Sequence, residues 1–130
     1  MKRGDSMDRY SNGYEVYQEN QISTSSRSGL LLMLYDGALK FLRFALTAME
    51  EKKVEEAHGN LVKVQDILNE LMATLNFDAG EIAGKLYSLY EYMNQELIDA
   101  NIQKDSEKVE KVYGMLEELR NAWAKAMDPA

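Results

Sequence analysis

The residues able to do chemistry in this 130-residue chain are few and poorly placed for it. The single histidine, His58, follows Glu55 at the Glu-x-x-His spacing by which helical di-iron proteins aim two ligands into a bundle core. Such a centre needs a second copy of the pair, and there is no second histidine, so His58 reads as a solvent-exposed residue near a helix start. Carboxylates at helical spacing, such as Asp66 and Glu70, arise by chance in a chain this acidic. Cysteine is absent, which excludes disulfides, thiolate metal ligands and thiol nucleophiles. Gly29, Gly37, Gly59, Gly80, Gly84 and Gly114 are scattered singly, so no phosphate-cradling loop is present. With no metal cluster and no nucleophile–base pair, no catalytic residue, metal or cofactor is assigned, and the chain reads as a binding module.

Composition agrees. The formal net charge is −7, a surface that phosphate backbones repel, so nucleic acid is an unsuitable partner. Met1 to Asn20 contains no apolar core of a signal peptide. The longest fully apolar run, Leu30 to Tyr35, is far short of a membrane span. These features and the lack of cysteine suit a cytoplasmic protein without membrane insertion. Apolar residues make up 45% of the chain, enough for one packed core, and the only proline is Pro129. One helical domain of long, uninterrupted elements is therefore expected.

The elements follow from the spacing of apolar residues. Residues 1–25 are polar but carry spaced apolar side chains at Tyr10, Tyr14, Val16, Tyr17 and Ile22. The first helix is predicted from Ser26 to about Lys52, with Leu31, Leu34, Ala38, Leu42, Ala45 and Met49 inward. A second carries Ala57, Leu61, Val64, Leu68, Leu71 and Leu75. The join near Lys52 and Lys53 has neither glycine nor proline, but one helix through it would span roughly 75 Å, too long for so small a domain. Asn76 to Gly80 is a break, and Asp78 with Glu81 reads as a capping box for the third helix. That helix carries Ile82, Leu86, Leu89, Met93, Leu97 and Ala100. After a turn at Asn101 to Asp105, capped by Asp105 or Ser106, the fourth carries Val109, Val112, Leu116, Leu119, Trp123 and Met127. Short joins make this an all-α, antiparallel up-down four-helix bundle over 26–127, with a flexible or short-helical segment over 1–25 and a tail over 128–130.

The apolar surface is broader than such a bundle needs. Leu30 to Tyr35 covers more than half the circumference of the first helix, against the third to half that a bundle uses. Tyr87, Tyr90 and Tyr92 stand beside the core stripe of the third, and the chain holds eight Met and eight Tyr, types favoured at adaptable binding surfaces. Either the core is thick and its tyrosines snorkel, or a groove receives another chain. The residues alone also leave open a structural or signalling four-helix module that binds some other partner helix.

Particular stretches bring a resemblance. "LLLMLYDGALKFL" at Leu30 to Leu42, "NLVKVQDILNEL" at Asn60 to Leu71 and "GEIAGKLYSLYEYM" at Gly80 to Met93 resemble the flagellin export chaperone family, FliS. "LIDANIQKD" at Leu97 to Asp105 and "LEELRNAW" at Leu116 to Trp123 continue it, and "NGYEVYQENQI" at Asn12 to Ile22 is similar to the family's N-terminal tyrosine pair. The likeness runs in order over about residues 12 to 124. Where the family often carries proline, before the tyrosine pair and after the serine cap, this chain has Gly13 and Arg27.

The resemblance implies a cytoplasmic chaperone that holds the disordered C-terminal segment of flagellin, prevents premature polymerisation and aids delivery to the components of the flagellar type III export gate. By the same resemblance, Leu30, Met33 and Phe41 would wall the client groove, with Tyr87 and Tyr90 among its polar-tipped rims. Tyr14, Tyr17 and Ile22 would form a removable plug over the empty groove, whose exposure would otherwise invite self-association. Gly37 would allow close helix approach, Asp36 would pair with Lys40 one turn on, and Trp123 would be core rather than client contact.

Overall fold

The computed structural model describes residues 26–127; the tyrosine pair, Ile22 and the tail over 128–130 lie outside the described residues. Four helices make up the fold: α1 (Ser26–Glu50), α2 (Val54–Ala73), α3 (Glu81–Gln103) and α4 (Ser106–Met127), with one 3-10 turn at Phe77–Ala79. No strand occurs among the described residues. Helix α1 packs against α2 and α4, and α3 packs against the same two, while diagonal helices do not approach along their backbones. This is the square cross-section of an up-down bundle, closed by the first and last helices.

The core follows the expected stripes on α2 and α4 most closely. Leu61, Val64, Leu68 and Leu71 of α2 meet Val109, Val112 and Leu116 of α4 in one cluster, with Leu119 and Trp123 partly buried at its edge. Helix α1 contributes Leu34, Ala38, Leu42 and Ala45, and also Tyr35, which is fully buried. On α3 the stripe is Ala83, Leu86, Tyr90, Met93, Leu97 and Ala100, alternating steps of three and four. Ile82, expected inward, is 56% exposed, and Leu89 is only partly buried. Ile82 and Leu89 fall just off the inward face of α3, whose phase turns their neighbours Ala83 and Tyr90 into the core.

The joins explain the boundaries. Helix α1 ends without glycine because Lys52 adopts the left-handed conformation, with φ of 61°. The Lys53 amide then donates to Ala48 at 2.8 Å and the Lys52 amide to Met49 at 3.1 Å. This is the paired return of a Schellman turn, with lysine where glycine is usual. Lys104 repeats the solution after α3, at φ of 55°, with the Asp105 amide reaching back to Ala100 at 3.0 Å. Asp105 also caps α4 by accepting from the Glu107 amide at 3.0 Å.

The capping box expected at Asp78 and Glu81 does not form. Asn76 caps the 3-10 turn, accepting from the Asp78 amide at 3.0 Å. Helix α3 then begins directly after Gly80, so Glu81 is its first residue and stands too early to reach back. Gly80 takes φ of 102° and ψ of −159°, a backbone region essentially confined to glycine. Gly37 has no such necessity: a Cβ built there would meet Ile67 Cδ1 at 3.6 Å, an ordinary contact, so close approach does not explain this glycine.

Candidate functional site

Where α1 and α3 begin and α2 and α4 end, the bundle opens into a groove of about 600 Å³. Leu30, Leu31 and Leu34 form the α1 wall, Ile82, Ala83 and Leu86 the α3 wall, and Ala73 and Leu75 lie where α2 runs out. Trp123, from the last turns of α4, and Tyr90 complete the lining. Among the described residues, Arg27 and Glu70 bring the only charges to the lining. The broad apolar run of α1 thus divides its work. Leu34 and Tyr35 are core, whereas Leu30 and Leu31 remain half-buried and available.

Three polar tips meet beneath this groove. The Trp123 indole N–H donates to the Tyr35 hydroxyl at 3.0 Å, and the Tyr35 hydroxyl is hydrogen-bonded to that of Tyr90. The set joins α4, α1 and α3 inside an otherwise apolar core, since no other polar or charged residue is fully buried among those described. Burial, foremost, raises the pKa of Tyr35 despite its two hydrogen bonds, and raises that of Tyr90, which the contact with Tyr35 lifts further. Both phenols therefore stay protonated well beyond neutral pH.

Of the other residues expected to bind a client, Tyr90 alone joins Leu30 here. Tyr90 is not a rim: at 1% exposure it belongs to the floor. Tyr87, 37% exposed, lines a separate cleft of about 870 Å³ between α2 and α3, together with Asn69, Met72, Tyr92, Gln95 and Ile98. That cleft is the larger but its lining is more polar than apolar, so it suits an apolar segment less well than the groove at the bundle end. Phe41 packs edge-on to the exposed Phe44, with the Lys40 and Lys63 ammonium groups about 5.0 and 5.1 Å from its ring centre. Met33 is half-buried on α1 and lines neither cavity.

Two smaller expectations change as well. Asp36 pairs with Arg120 of α4, at 2.9 Å, rather than with Lys40, because the α1–α4 packing brings the guanidinium beside it. Trp123 is partly core and partly groove wall, so the two readings are not exclusive. His58 is exposed, and its Nδ1 lies 2.7 Å from the Asn101 amide nitrogen, linking the start of α2 to the end of α3. No group of three or more potential metal-ligating side chains occurs among the described residues. The aromatic triad was not anticipated, although Tyr35 stands within the "LYDGA" stretch and Trp123 ends "LEELRNAW".

Known proteins are similar to this chain over most of its length. The family model described as flagellar protein FliS matches residues 10–130. The flagellar secretion chaperone FliS of Bacillus subtilis (strain 168) is 39% identical over 116 residues, covering 89% of this chain and 86% of the relative. Its namesake in Salmonella typhimurium is 35% identical over 111 residues, covering 84% of this chain and 82% of the relative. A solved structure titled "Crystal structure of flagellar chaperone from bacteria" superposes with a TM-score of 0.74 at 19% identity, over 89% of this chain and 95% of that one, a likeness of fold. A match spanning nearly the whole bundle, with relatives named as secretion chaperones rather than enzymes, places this chain in the FliS family of flagellar secretion chaperones.

Proposed function

We propose that this protein is the cytoplasmic export chaperone of flagellin, holding the disordered C-terminal segment of that client and delivering it to the flagellar type III export apparatus. The observation that carries the reading is an apolar groove left open at one end of the bundle, in a chain of this family. A folded monomer gains nothing from leaving Leu30, Leu31 and Ile82 available at one mouth, but a receptor for an apolar polypeptide does. Capture there keeps the client's apolar face from other flagellin copies and so prevents polymerisation. The acidic surface keeps the empty chaperone and its complex dispersed. No helix of the described residues is long and apolar enough to cross a membrane, in keeping with a cytoplasmic role.

The N-terminal segment fits the same scheme as a plug. It leads into α1 at Ser26, and Arg27 is already part of the groove lining, so Ile22, Tyr17 and Tyr14 precede the groove wall by about 4, 9 and 12 residues of chain. Such a plug hides the groove until a client displaces it and limits self-association of the empty protein.

Calorimetry with the C-terminal segment of flagellin from the same organism tests the proposal. Coupled folding and binding gives a negative heat-capacity change corresponding to roughly 1,000–3,000 Å² of burial, with unfavourable entropy. Replacing Leu31 with Asp places a charge in the groove wall and abolishes this signal if the groove is the site. Binding that Leu31→Asp leaves intact would move the client elsewhere on the bundle.

A further inference from the structure

Beneath the groove, the hydrogen-bonding capacity of the aromatic triad does not balance. Trp123 has one N–H and no acceptor, while each tyrosine hydroxyl has one hydrogen and can also accept. Three hydrogens are therefore available for two contacts, Trp123 to Tyr35 and the Tyr35–Tyr90 pair. One hydroxyl hydrogen is left without an acceptor among the described residues. If Tyr90 donates to Tyr35, the spare hydrogen is that of Tyr35; both side chains are fully buried, but Tyr35 is not part of the groove lining. If Tyr35 donates to Tyr90, the bonds run in one direction from Trp123 through Tyr35, and the spare hydrogen is that of Tyr90, which lines the groove. Each bond in such a directed chain polarises the next, so the last hydroxyl is a strengthened donor.

We propose that the Tyr90 hydroxyl is a specificity-determining donor that takes a main-chain carbonyl oxygen of the polypeptide bound in the groove. The inference rests on the reading of the groove as a client site. The chemistry of the acceptor follows from the surroundings. The walls are aliphatic, so a segment entering them loses hydration at its backbone carbonyl groups and must find donors for them. Thr74, also part of the lining, spends its hydroxyl on the Leu71 carbonyl at 2.8 Å, while Arg27 and Asn76 are exposed and Ser28 stands half-buried beside Arg27 at the start of α1. Tyr90 is the donor at the apolar floor. A carbonyl is carried by every residue of a client, so this contact fixes depth and register without demanding a particular side chain. An apolar small molecule of the same volume would leave the hydroxyl unpaired.

The test uses the full chain labelled with [13Cζ]tyrosine in equal H2O and D2O, with and without a synthetic peptide of the C-terminal segment of flagellin from the same organism. A hydroxyl that exchanges slowly shows two Cζ lines, one for each isotope. Expected on adding peptide is a newly split Tyr90 line, together with a Kd about 3- to 10-fold weaker for Tyr90→Phe, the size of one lost hydrogen bond. Tyr92→Phe, outside the groove, should bind as the parent does. Peptide that binds the parent and Tyr90→Phe equally, with no splitting, overturns the proposal and leaves the client groove standing. Peptide that fails to bind the parent overturns the client reading and this inference with it. A Tyr90 line already split without peptide, and unchanged by it, would show an acceptor within this chain and also overturn the proposal. Should Tyr90→Phe fold poorly, the line splitting in the parent decides.

Discussion

The two ends of the bundle solve different problems. At one end, α1 turns into α2 and α3 into α4 through joins of a few residues, each using a lysine in the left-handed conformation and main-chain hydrogen bonds. The core beside these turns is small and wholly apolar, with Ala45, Leu61, Leu97, Ala100 and Val109 fully buried. At the other end, only α2 and α3 are joined, through a 3-10 turn, and the core widens to Tyr35, Tyr90 and Trp123 under an open groove. Closure thus falls to the backbone at the first end. The second gathers large side chains and polar tips beneath an open groove.

The strongest way to break this contrast is to truncate a core leucine. Leu61→Ala, in the closed half, should cost about 2–5 kcal/mol in urea unfolding, as for other leucines without room to relax. Leu31→Ala, at the half-buried groove wall, should cost far less stability and act mainly on client affinity. Equal stability losses would mean that the groove end is packed as tightly as the other.

Next in size is Gly80→Ala. The glycine-only backbone at the start of α3 predicts a loss of about 1–3 kcal/mol, read as a lower urea midpoint at unchanged slope. A neutral effect would mean that this turn re-forms differently without cost.

The buried phenols sharpen the comparison through pH. Both have folded-state pKa values raised above the ordinary 10.0, chiefly by burial. Their contribution is intact below pH 10 and is lost as the pH rises further, since the unfolded chain then releases protons that the folded chain retains. Alkaline unfolding should therefore steepen above about pH 10. Tyr90→Phe, which removes one of the two buried phenols, should flatten that limb. The smallest effect belongs to the closed end. Lys52→Gly relieves a left-handed lysine and should raise stability by about 0.5–1 kcal/mol in thermal melts, after the extra entropy lost by glycine.

The fold was largely legible because α2 and α4 carry clean apolar stripes and because no proline interrupts a helix. Boundaries were less so. A lysine at a Schellman turn has no compositional signal, and the capping box at Asp78 failed because the intervening 3-10 turn consumed the residues it needed. The site was legible only in part. Leu30 was readable as surplus apolar surface, but Tyr90 looked like a rim because tyrosine beside a stripe usually snorkels. Its burial depends on a hydroxyl partner on a diagonal helix, and that information is tertiary. The pairing of Asp36 with Arg120 escaped for the same reason, since local spacing pointed to Lys40.

The bond between Trp123 and Tyr35 joins residues 88 positions apart and ties the last helix to the first. During synthesis, α1, α2 and α3 emerge with the open side of the square still missing, and α1 has its α4-facing side exposed until the fourth helix leaves the ribosome. The wall of the groove is completed by one of the last side chains of the bundle to be made. A ribosome-bound fragment ending before Trp123 therefore lacks both that wall and the hydrogen bond beneath it, so the groove is complete only when translation of the bundle is essentially finished.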